Sequence, residues 1–211
     1  MARVRVRQHV NPLSQKYQKK LILPDWEKIY RDRTQPLHLD IGCARGRFLL
    51  NIAQEQPHWN FLGLEIRDPL VEEANRLRDE LDLTNLHYLF SNVNVDLNIL
   101  FPSLPAKIVQ WVSIQFPDPW FKKRHAKRRT VQPELIATLA QHLSPGAKLF
   151  LQSDVKWLAQ EMRDRVNAHP AFTPSHSQLW LPENPLPVPT EREIATQNNQ
   201  EPVYRCLFVR Q

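Results

Sequence analysis

The chain has 211 residues, of which 42% are apolar and 24% are charged, and these proportions are typical of a globular protein with one large core rather than of a disordered chain. The sequence predicts neither a membrane span nor a signal peptide, because it contains no apolar run of about 18 residues and no apolar segment near its amino terminus. Cys43 and Cys206 form no CxxC or metal-ligand pattern, so we expect a cytoplasmic protein without a metal site.

The first 24 residues are basic and contain no acid before Asp25. They predict a mobile amino-terminal arm, which either frays without a role or becomes ordered on RNA. Residues 25–211 are predicted to form the single domain. The basic residues of the arm are Arg3, Arg5, Arg7, Lys16, Lys19 and Lys20.

Short apolar runs alternate with helical patterns along the domain. Strands are predicted over residues 38–41, 61–65, 87–90, 108–114, 148–152 and 203–209, and helices follow the first, second and fourth of them. This alternation predicts an α/β, Rossmann-like fold with a mostly parallel central sheet and helices on both faces. In the helix after the second strand, Asp68 is the predicted N-cap, and Leu70, Ala74, Leu77 and Leu81 form the predicted buried stripe.

A glycine-containing turn, DIGCARG over residues 40–46, follows the first strand. The dinucleotide motif GxGxxG fails there, because Ala44 and Arg47 replace its second and third glycines. Asp40 beside the turn disfavours a pyrophosphate and favours a cationic ligand, such as the ammonium group of S-adenosylmethionine. Glu65 ends the next strand, where a carboxylate can accept hydrogen bonds from ribose hydroxyls.

Residues 108–129 pass from a buried-strand pattern through the sequence FPDPW into a dense run of basic residues. Asp118 lies between Pro117 and Pro119, and this spacing places it just beyond the carboxyl end of a strand, where open α/β sheets bind ligands. Each proline disfavours a helical conformation in the residue before it, so Phe116 and Asp118 are predicted to be extended.

Six cations in residues 122–129, the basic loop, account for the net charge of +6, because the remaining basic residues equal the 22 acidic ones. The loop follows two aromatic residues, Trp120 and Phe121. Cations beside aromatic rings suit a nucleic acid, which needs phosphate counter-charges and stacking surfaces. A solvated charged face is the alternative interpretation.

The segments LDIGCARG, LGLEIR, SNV, FPDPWFKKRHAKRR, LQSD and TERE, in this order, resemble those of the tRNA (guanine-N7-)-methyltransferase family, which has the class I methyltransferase fold. The resemblance extends over residues 37–210. It implies transfer of a methyl group from S-adenosylmethionine to N7 of a guanine in the variable loop of tRNA, and it implies that Asp118 is the catalytic residue. By motif position, the implied cofactor-binding residues are Asp40, Gly42, Glu65, Asn92 and Asp118.

The resemblance also implies that the carboxy-terminal motifs bind the RNA substrate. The implied substrate-binding residues are Lys122, Asp154, Thr190, Glu191, Arg192 and Glu193. The basic loop is predicted to supply a further RNA-contact patch formed by Lys123, Arg124, Lys127, Arg128 and Arg129. The sequence departs from the family pattern at Ala44, Phe121 and Arg192, and in having no glycine after Asn199.

Several alternatives stay open at this point. The enzyme could act on another RNA or nucleobase, or the chain could be a non-catalytic RNA-binding protein with a degenerate cofactor pocket. Among single residues, Asp40 could only cap its turn, Asn92 could be only a turn residue, and Asp154 could be the N-cap of a helix that starts near Val155. The sequence does not distinguish a monomer from a dimer.

Overall fold

The computed structural model describes residues 10–18 and 21–211. Seven strands form one sheet in the order β3-β2-β1-β4-β5-β7-β6. Strands β1 to β5 are parallel, and β7 runs antiparallel to both of its neighbours, β5 and β6. The strands are β1 (Leu37–Ile41), β2 (Asn60–Glu65), β3 (Leu86–Phe90), β4 (Val109–Gln115), β5 (Lys148–Ser153), β6 (Phe172–Pro174) and β7 (Tyr204–Arg210).

Helices alternate with the strands and cover both faces of the sheet, which confirms the predicted fold class. Helices α2 and α3 pack on one face with Phe61 and Tyr88, whereas α4, α5 and α6 pack on the other face with Leu39. The α-helices are α1 (Trp26–Ile29), α2 (Arg47–Glu55), α3 (Asp68–Glu80), α4 (Val93–Ser103), α5 (Pro133–His142), α6 (Lys156–Asn167) and α7 (Glu191–Asn198). Short 3-10 helices cover Gln15–Tyr17 and Lys123–Arg128.

The strand order reverses between β1 and β4. From β1 the chain adds β2 and β3 on one side, and it then returns to place β4 and β5 on the other side. A crevice forms where the connections diverge, outside the carboxyl ends of the strands, and such crevices hold ligands in open α/β sheets. The functional site is therefore expected at the ends of β1 and β4.

Alternation of side chains along β1 explains the polar residues of its sequence. Leu37, Leu39 and Ile41 join the apolar cluster with α4 to α6, whereas His38 and Asp40 belong to the alternate set that points to the opposite face. All five residues are buried. A buried polar pair in a central strand requires hydrogen-bond partners, which neighbouring strand β4 supplies.

Two details of the predicted second helix, now α3, are wrong. Asp68 is the first helical residue rather than the N-cap, a position held by Arg67 without a capping side chain. Leu81 is 48% exposed rather than buried, because α3 ends at Glu80 and the chain leaves the helix through Asp82, which has a φ of +50°.

Part of the predicted basic arm packs against the domain. The side chain of Leu21 is 8% exposed, and the carbonyl groups of Pro12 and Tyr17 accept hydrogen bonds from the Asn92 side chain. The predicted arm residues Arg3, Arg5, Arg7, Lys19 and Lys20 lie outside the described residues. In the part of the chain that the structure describes, no helix is both long and apolar enough to cross a membrane.

Candidate active site

The carboxyl ends of β1 to β4 open into a cavity of about 1330 Å³. Every residue that the sequence predicted to bind the cofactor lines this cavity, namely Asp40, Gly42, Glu65, Asn92 and Asp118. Four of the predicted substrate-binding residues also line it, namely Asp154, Thr190, Glu191 and Arg192. The fold thus brings residues that lie far apart in the sequence to one edge of the sheet.

Asp40 is buried and receives hydrogen bonds from two residues of β4. The Ser113 hydroxyl donates to Asp40 Oδ1 at 2.6 Å, and Gln115 Nε2 donates to the same oxygen at 3.3 Å. Burial raises the pKa of Asp40 to about 6, and the negative charge of Glu65 adds to this increase. The hydrogen bonds from Ser113 and Gln115 act in the opposite direction and lower the pKa. At neutral pH this carboxylate therefore provides an anionic wall for a cationic ligand.

His38 lies behind Asp40 and has no catalytic geometry. Its Nε2 lies 2.8 Å from Ser113 Oγ, and since the single Ser113 proton points to Asp40, Nε2 must donate to the hydroxyl. Burial lowers the pKa of His38 to about 3. His38 is therefore a neutral donor that orients Ser113.

Glu65 joins two turns at the cofactor end of the cavity. Its carboxylate accepts the backbone N–H of Ala44 at 3.0 Å and the backbone N–H of Arg67 at 2.9 Å. The Arg67 guanidinium also donates to both oxygens, at 2.9 Å each. Ribose hydroxyls at Glu65 would have to share this carboxylate with Arg67, a contact that sequence reasoning missed.

Asn92 follows β3 and is the N-cap residue of α4. Its backbone N–H donates to Asp96 Oδ2 at 2.7 Å, and its side-chain amide donates to the carbonyl groups of Pro12 and Tyr17 at 2.9 Å each. Val10 and Pro12 line the cavity beside it. Asn92 therefore attaches the amino-terminal segment to the edge of the cofactor site.

The FPDPW turn differs from its predicted conformation. Phe116 has a φ of +50°, so the expectation of an extended residue before Pro117 is wrong. The Phe116 N–H continues the β4–β5 ladder by donating to the Gln152 carbonyl at 2.8 Å, and the chain then turns sharply to leave the sheet. Asp118 follows this turn, half-buried in the cavity wall.

Arg129 secures the other end of this turn. The side chain is 8% exposed, and it donates to the carbonyls of Pro119 at 3.0 Å and Trp120 at 3.2 Å. It also pairs with Glu161 at 2.5 Å and lies over the Trp157 ring at 4.6 Å. The fold therefore encloses this member of the predicted RNA-contact patch, and its guanidinium holds the FPDPW turn.

The remaining cations of the basic loop differ in exposure. We call Lys123, Arg124 and Lys127 the outer cations, because all three are exposed on the 3-10 helix that begins at Lys123. Lys122 is also exposed, whereas Arg128 is half-buried over the Trp120 ring at 5.0 Å. The exposed surface that fits a polyanion consists of Lys122, the outer cations and Phe121, which is 70% exposed.

Helix α7 begins with a side-chain N-cap at Thr190. The Thr190 hydroxyl accepts the N–H of Glu193 at 3.1 Å, as the spacing TERE allows. Glu193 is 1% exposed, and it accepts hydrogen bonds from Arg205 at 2.7 Å and Asn184 at 2.7 Å. Unlike the other predicted substrate-binding residues of this segment, Glu193 is therefore enclosed by protein groups.

Two ion pairs flank the first turn of α7 at the rim of the cavity. Glu191 pairs with Arg47 of α2 at 2.5 Å, and Arg192 Nε donates to Asp154 Oδ2 at 2.9 Å beside a second bond from the same guanidinium. The alternative that Asp154 caps α6 is wrong, because the N-cap is Val155. Four predicted substrate-binding residues thus meet at one rim.

The described residues contain no group of three or more His, Cys, Asp or Glu side chains that could hold a metal ion. Cys43 lies in the turn after β1, and burial beside Glu65 and Asp40 raises the pKa of its thiol well above the usual value. The chemistry available at the cavity is that of carboxylates, amides and cations.

Comparisons with known proteins agree with this geometry. A family model described as a putative methyltransferase matches residues 34–206. A tRNA (guanine-N(7)-)-methyltransferase of Synechococcus elongatus is 65% identical over 211 residues, covering 100% of this chain and 99% of the relative. One of the same name from Microcystis aeruginosa is 61% identical, covering 99% of each chain.

A solved structure with a similar fold supports the same conclusion about architecture. The 16S rRNA methyltransferase KamB superimposes with a TM-score of 0.60 and 14% identity, covering 88% of this chain and 92% of KamB. At that identity the comparison supports the class I methyltransferase fold alone. The identities of the full-length relatives decide the family, and they confirm both the resemblance and the class of enzyme predicted from the motifs: this chain belongs to the tRNA (guanine-N7-)-methyltransferase family.

Proposed function

We propose that this protein transfers a methyl group from S-adenosylmethionine to N7 of a guanine in the variable loop of tRNA. The observation that carries the proposal is the position of Asp118. It stands at the carboxyl end of β4 in the same cavity as Asp40 and Glu65, and the FPDPW turn that holds it leads directly into the exposed cations of the basic loop.

The cavity residues fit a cofactor that carries positive charge. Asp40 supplies a buried carboxylate for the ammonium group, and Glu65 supplies carboxylate oxygens at the end of β2, where ribose hydroxyls bind in related folds. Gly42 has a φ of +82°, and no heavy atom lies within 4 Å of the position a Cβ would take there. When bound, S-adenosylmethionine supplies an electrophilic methyl group on a sulfonium centre.

The size of the cavity leaves space for a nucleobase beside the cofactor. A pocket of roughly 300–1,000 Å³ suffices for a drug-sized ligand, and this cavity of about 1330 Å³ continues from the β1 turn to the rim formed by α7. RNA-modifying proteins bind bases that are unstacked from their neighbours. The guanine would therefore enter between the rim and the FPDPW turn.

Asp118 is proposed to act through its position and charge. Guanine N7 presents a lone pair and carries no proton, so alignment of the reacting atoms contributes more than removal of a proton. Positive charge grows on the base as the methyl group arrives, and a fixed carboxylate stabilises that charge more in the transition state than in the ground state.

The exposed cations of the basic loop are proposed to neutralise tRNA phosphates, while the exposed face of Phe121 offers a stacking surface. Arg128 connects the basic loop with the cavity, because it lines the cavity and packs over Trp120. Since tRNA is the proposed substrate, we further propose that the enzyme works in the cytoplasm.

Nucleoside analysis tests this function. Unmodified tRNA would be incubated with the protein and labelled S-adenosylmethionine, digested to nucleosides and separated by mass spectrometry, with Asp118→Asn as the matched control. We expect N7-methylguanosine, and chain scission at the modified base should locate it in the variable loop. Label in a different nucleoside, or no label with folded protein, would contradict the proposal.

A further inference from the structure

An unbroken chain of side-chain hydrogen bonds connects Asp40 with Glu193. Gln115 Nε2 donates to Asp40 Oδ1 at 3.3 Å, and Gln115 Oε1 accepts from Gln152 Nε2 at 2.8 Å. Gln152 Nε2 also donates to Glu193 Oε2 at 3.1 Å. The two glutamines are register partners on adjacent strands β4 and β5, and they bridge the cofactor end of the cavity and the base of α7.

The orientation of both amides is determined by their partners. An ionised carboxylate only accepts hydrogen bonds, so each glutamine must present its NH₂ group to its carboxylate. Gln152 Oε1 then accepts from Arg205 Nε at 3.2 Å. Reversal of either amide would place oxygen against oxygen, and Gln152 is 0% exposed, so water cannot replace a lost partner.

The far end of this chain is attached to the segment at the rim. Glu193 lies in the first turn of α7, after Glu191 and Arg192, whose side chains reach Arg47 and Asp154. RNA phosphates that bind Arg47 or Arg192 would compete with Glu191 or Asp154 and would change the position of this first turn. Any shift of Glu193 changes the hydrogen bond that Gln152 makes, and through Gln115 it changes the donor to Asp40.

We propose that Gln115 and Gln152 are positioning residues that couple binding of the cofactor ammonium at Asp40 to binding of RNA at α7. This inference rests on the proposed function, which supplies the two ligands. Coupling is reciprocal, so tRNA increases the affinity for the cofactor by the same factor by which the cofactor increases the affinity for tRNA. The hydrogen-bond network serves this coupling because its members have one mutually consistent arrangement.

The test measures binding of S-adenosylhomocysteine, which retains the ammonium group but cannot react, by calorimetry with and without saturating tRNA. We expect tRNA to tighten binding by at least about fivefold in the parent, the lower end of common coupling factors. Gln115→Leu interrupts the chain at a half-buried position and should reduce this ratio to under about twofold. Gln152→Met interrupts the hydrogen-bond chain at the next residue and should reduce the ratio equally. Its melting temperature is measured to show that the variant is folded.

Ser113→Ala is the matched control. It removes the other donor to Asp40 without touching the chain, so it should weaken binding but leave the ratio at the parent value. A folded Gln115→Leu protein with the parent's ratio would overturn this inference, as would a parent that binds both ligands without coupling. A parent that binds neither ligand would instead overturn the proposed function, and this inference with it.

Discussion

Cofactor affinity is expected to depend on pH through Asp40. With a pKa of about 6, the ionised fraction of this carboxyl falls from about nine-tenths at pH 7 to about one-tenth at pH 5, so binding of a cation there should weaken about tenfold. Its neighbours His38 and Cys43 do not change charge in this range, because desolvation lowers the pKa of His38 to about 3 and raises that of the Cys43 thiol.

The same shift has a defined sign for stability. Folding raises the pKa of Asp40 from 3.8, so the folded protein holds this proton more tightly than the unfolded chain. The stabilising contribution is complete below about pH 4 and is lost as the pH rises through 6. Asp40→Asn should therefore bind the cofactor weakly yet melt at a higher temperature than the parent at pH 7.

Calorimetric titration of S-adenosylmethionine at pH 5, 6 and 7 and constant ionic strength measures the effect. Asp40→Asn is the control, and its dissociation constant should not change with pH. Ser113→Ala should move the midpoint to higher pH, because the Ser113 hydrogen bond lowers the Asp40 pKa. A parent affinity that is equal at pH 5 and pH 7 would exclude Asp40 as the titrating group, as would an equal pH dependence in Asp40→Asn.

Three further predictions concern the basic loop and the turn after β1. Arg129→Met should destabilise the protein by roughly 2 kcal/mol in urea unfolding, the scale for removing hydrogen bonds to a charged donor; parent stability would contradict the role assigned to Arg129. Replacing the outer cations by alanine should lower the slope of log affinity for tRNA against log salt by roughly 0.7–0.9 for each phosphate that is no longer neutralised; an unchanged slope would mean a merely solvated face. Gly46→Ala should destabilise the protein by roughly 1–3 kcal/mol more than Gly146→Ala does. Both glycines have a positive φ, but only at Gly46 would a Cβ lie 2.4 Å from the Tyr88 ring. Equal melting temperatures of the two variants would contradict this packing argument.

Local patterns were sufficient to predict most of the sheet. Apolar runs ending at acids or prolines marked five parallel strands and β7 to within one or two residues, because strand burial and strand ends leave short-range signals. Helix α4 escaped prediction. Its first residues, VNVDL, alternate apolar and polar side chains as a strand does, and the helical character depends on packing of Leu97, Leu100 and Phe101 against the sheet.

The site shows where sequence reasoning stops. The acids at Asp40, Glu65 and Asp118 could be predicted, since carboxylates at strand ends follow from position along the chain. The burial of Glu193 and Arg129 could not, because it depends on partners that only the fold brings near: Arg205 arrives through the antiparallel pairing of β7 with β5. A run of cations looks uniform in sequence, although one member is buried within the turn.

The Gln115–Gln152 pair was missed for the same reason. Each glutamine ends or nearly ends a strand, where a polar residue is usually a solvent-facing one. Their pairing depends on the register between β4 and β5, which aligns them side by side. A weak signal exists in retrospect, because Gln152 interrupts the apolar run of a central parallel strand.

Asp118 is proposed to stabilise methyl transfer from its place at the end of β4. The most direct test of this role is the single-turnover rate of methylation of one tRNA by the parent and by Asp118→Asn, with cofactor and tRNA both saturating. We expect a folded variant with nearly unchanged cofactor affinity and a rate about 10²–10³ lower, the scale for loss of one preorganised electrostatic group. A folded variant that methylates guanine N7 at the parent rate would contradict this role.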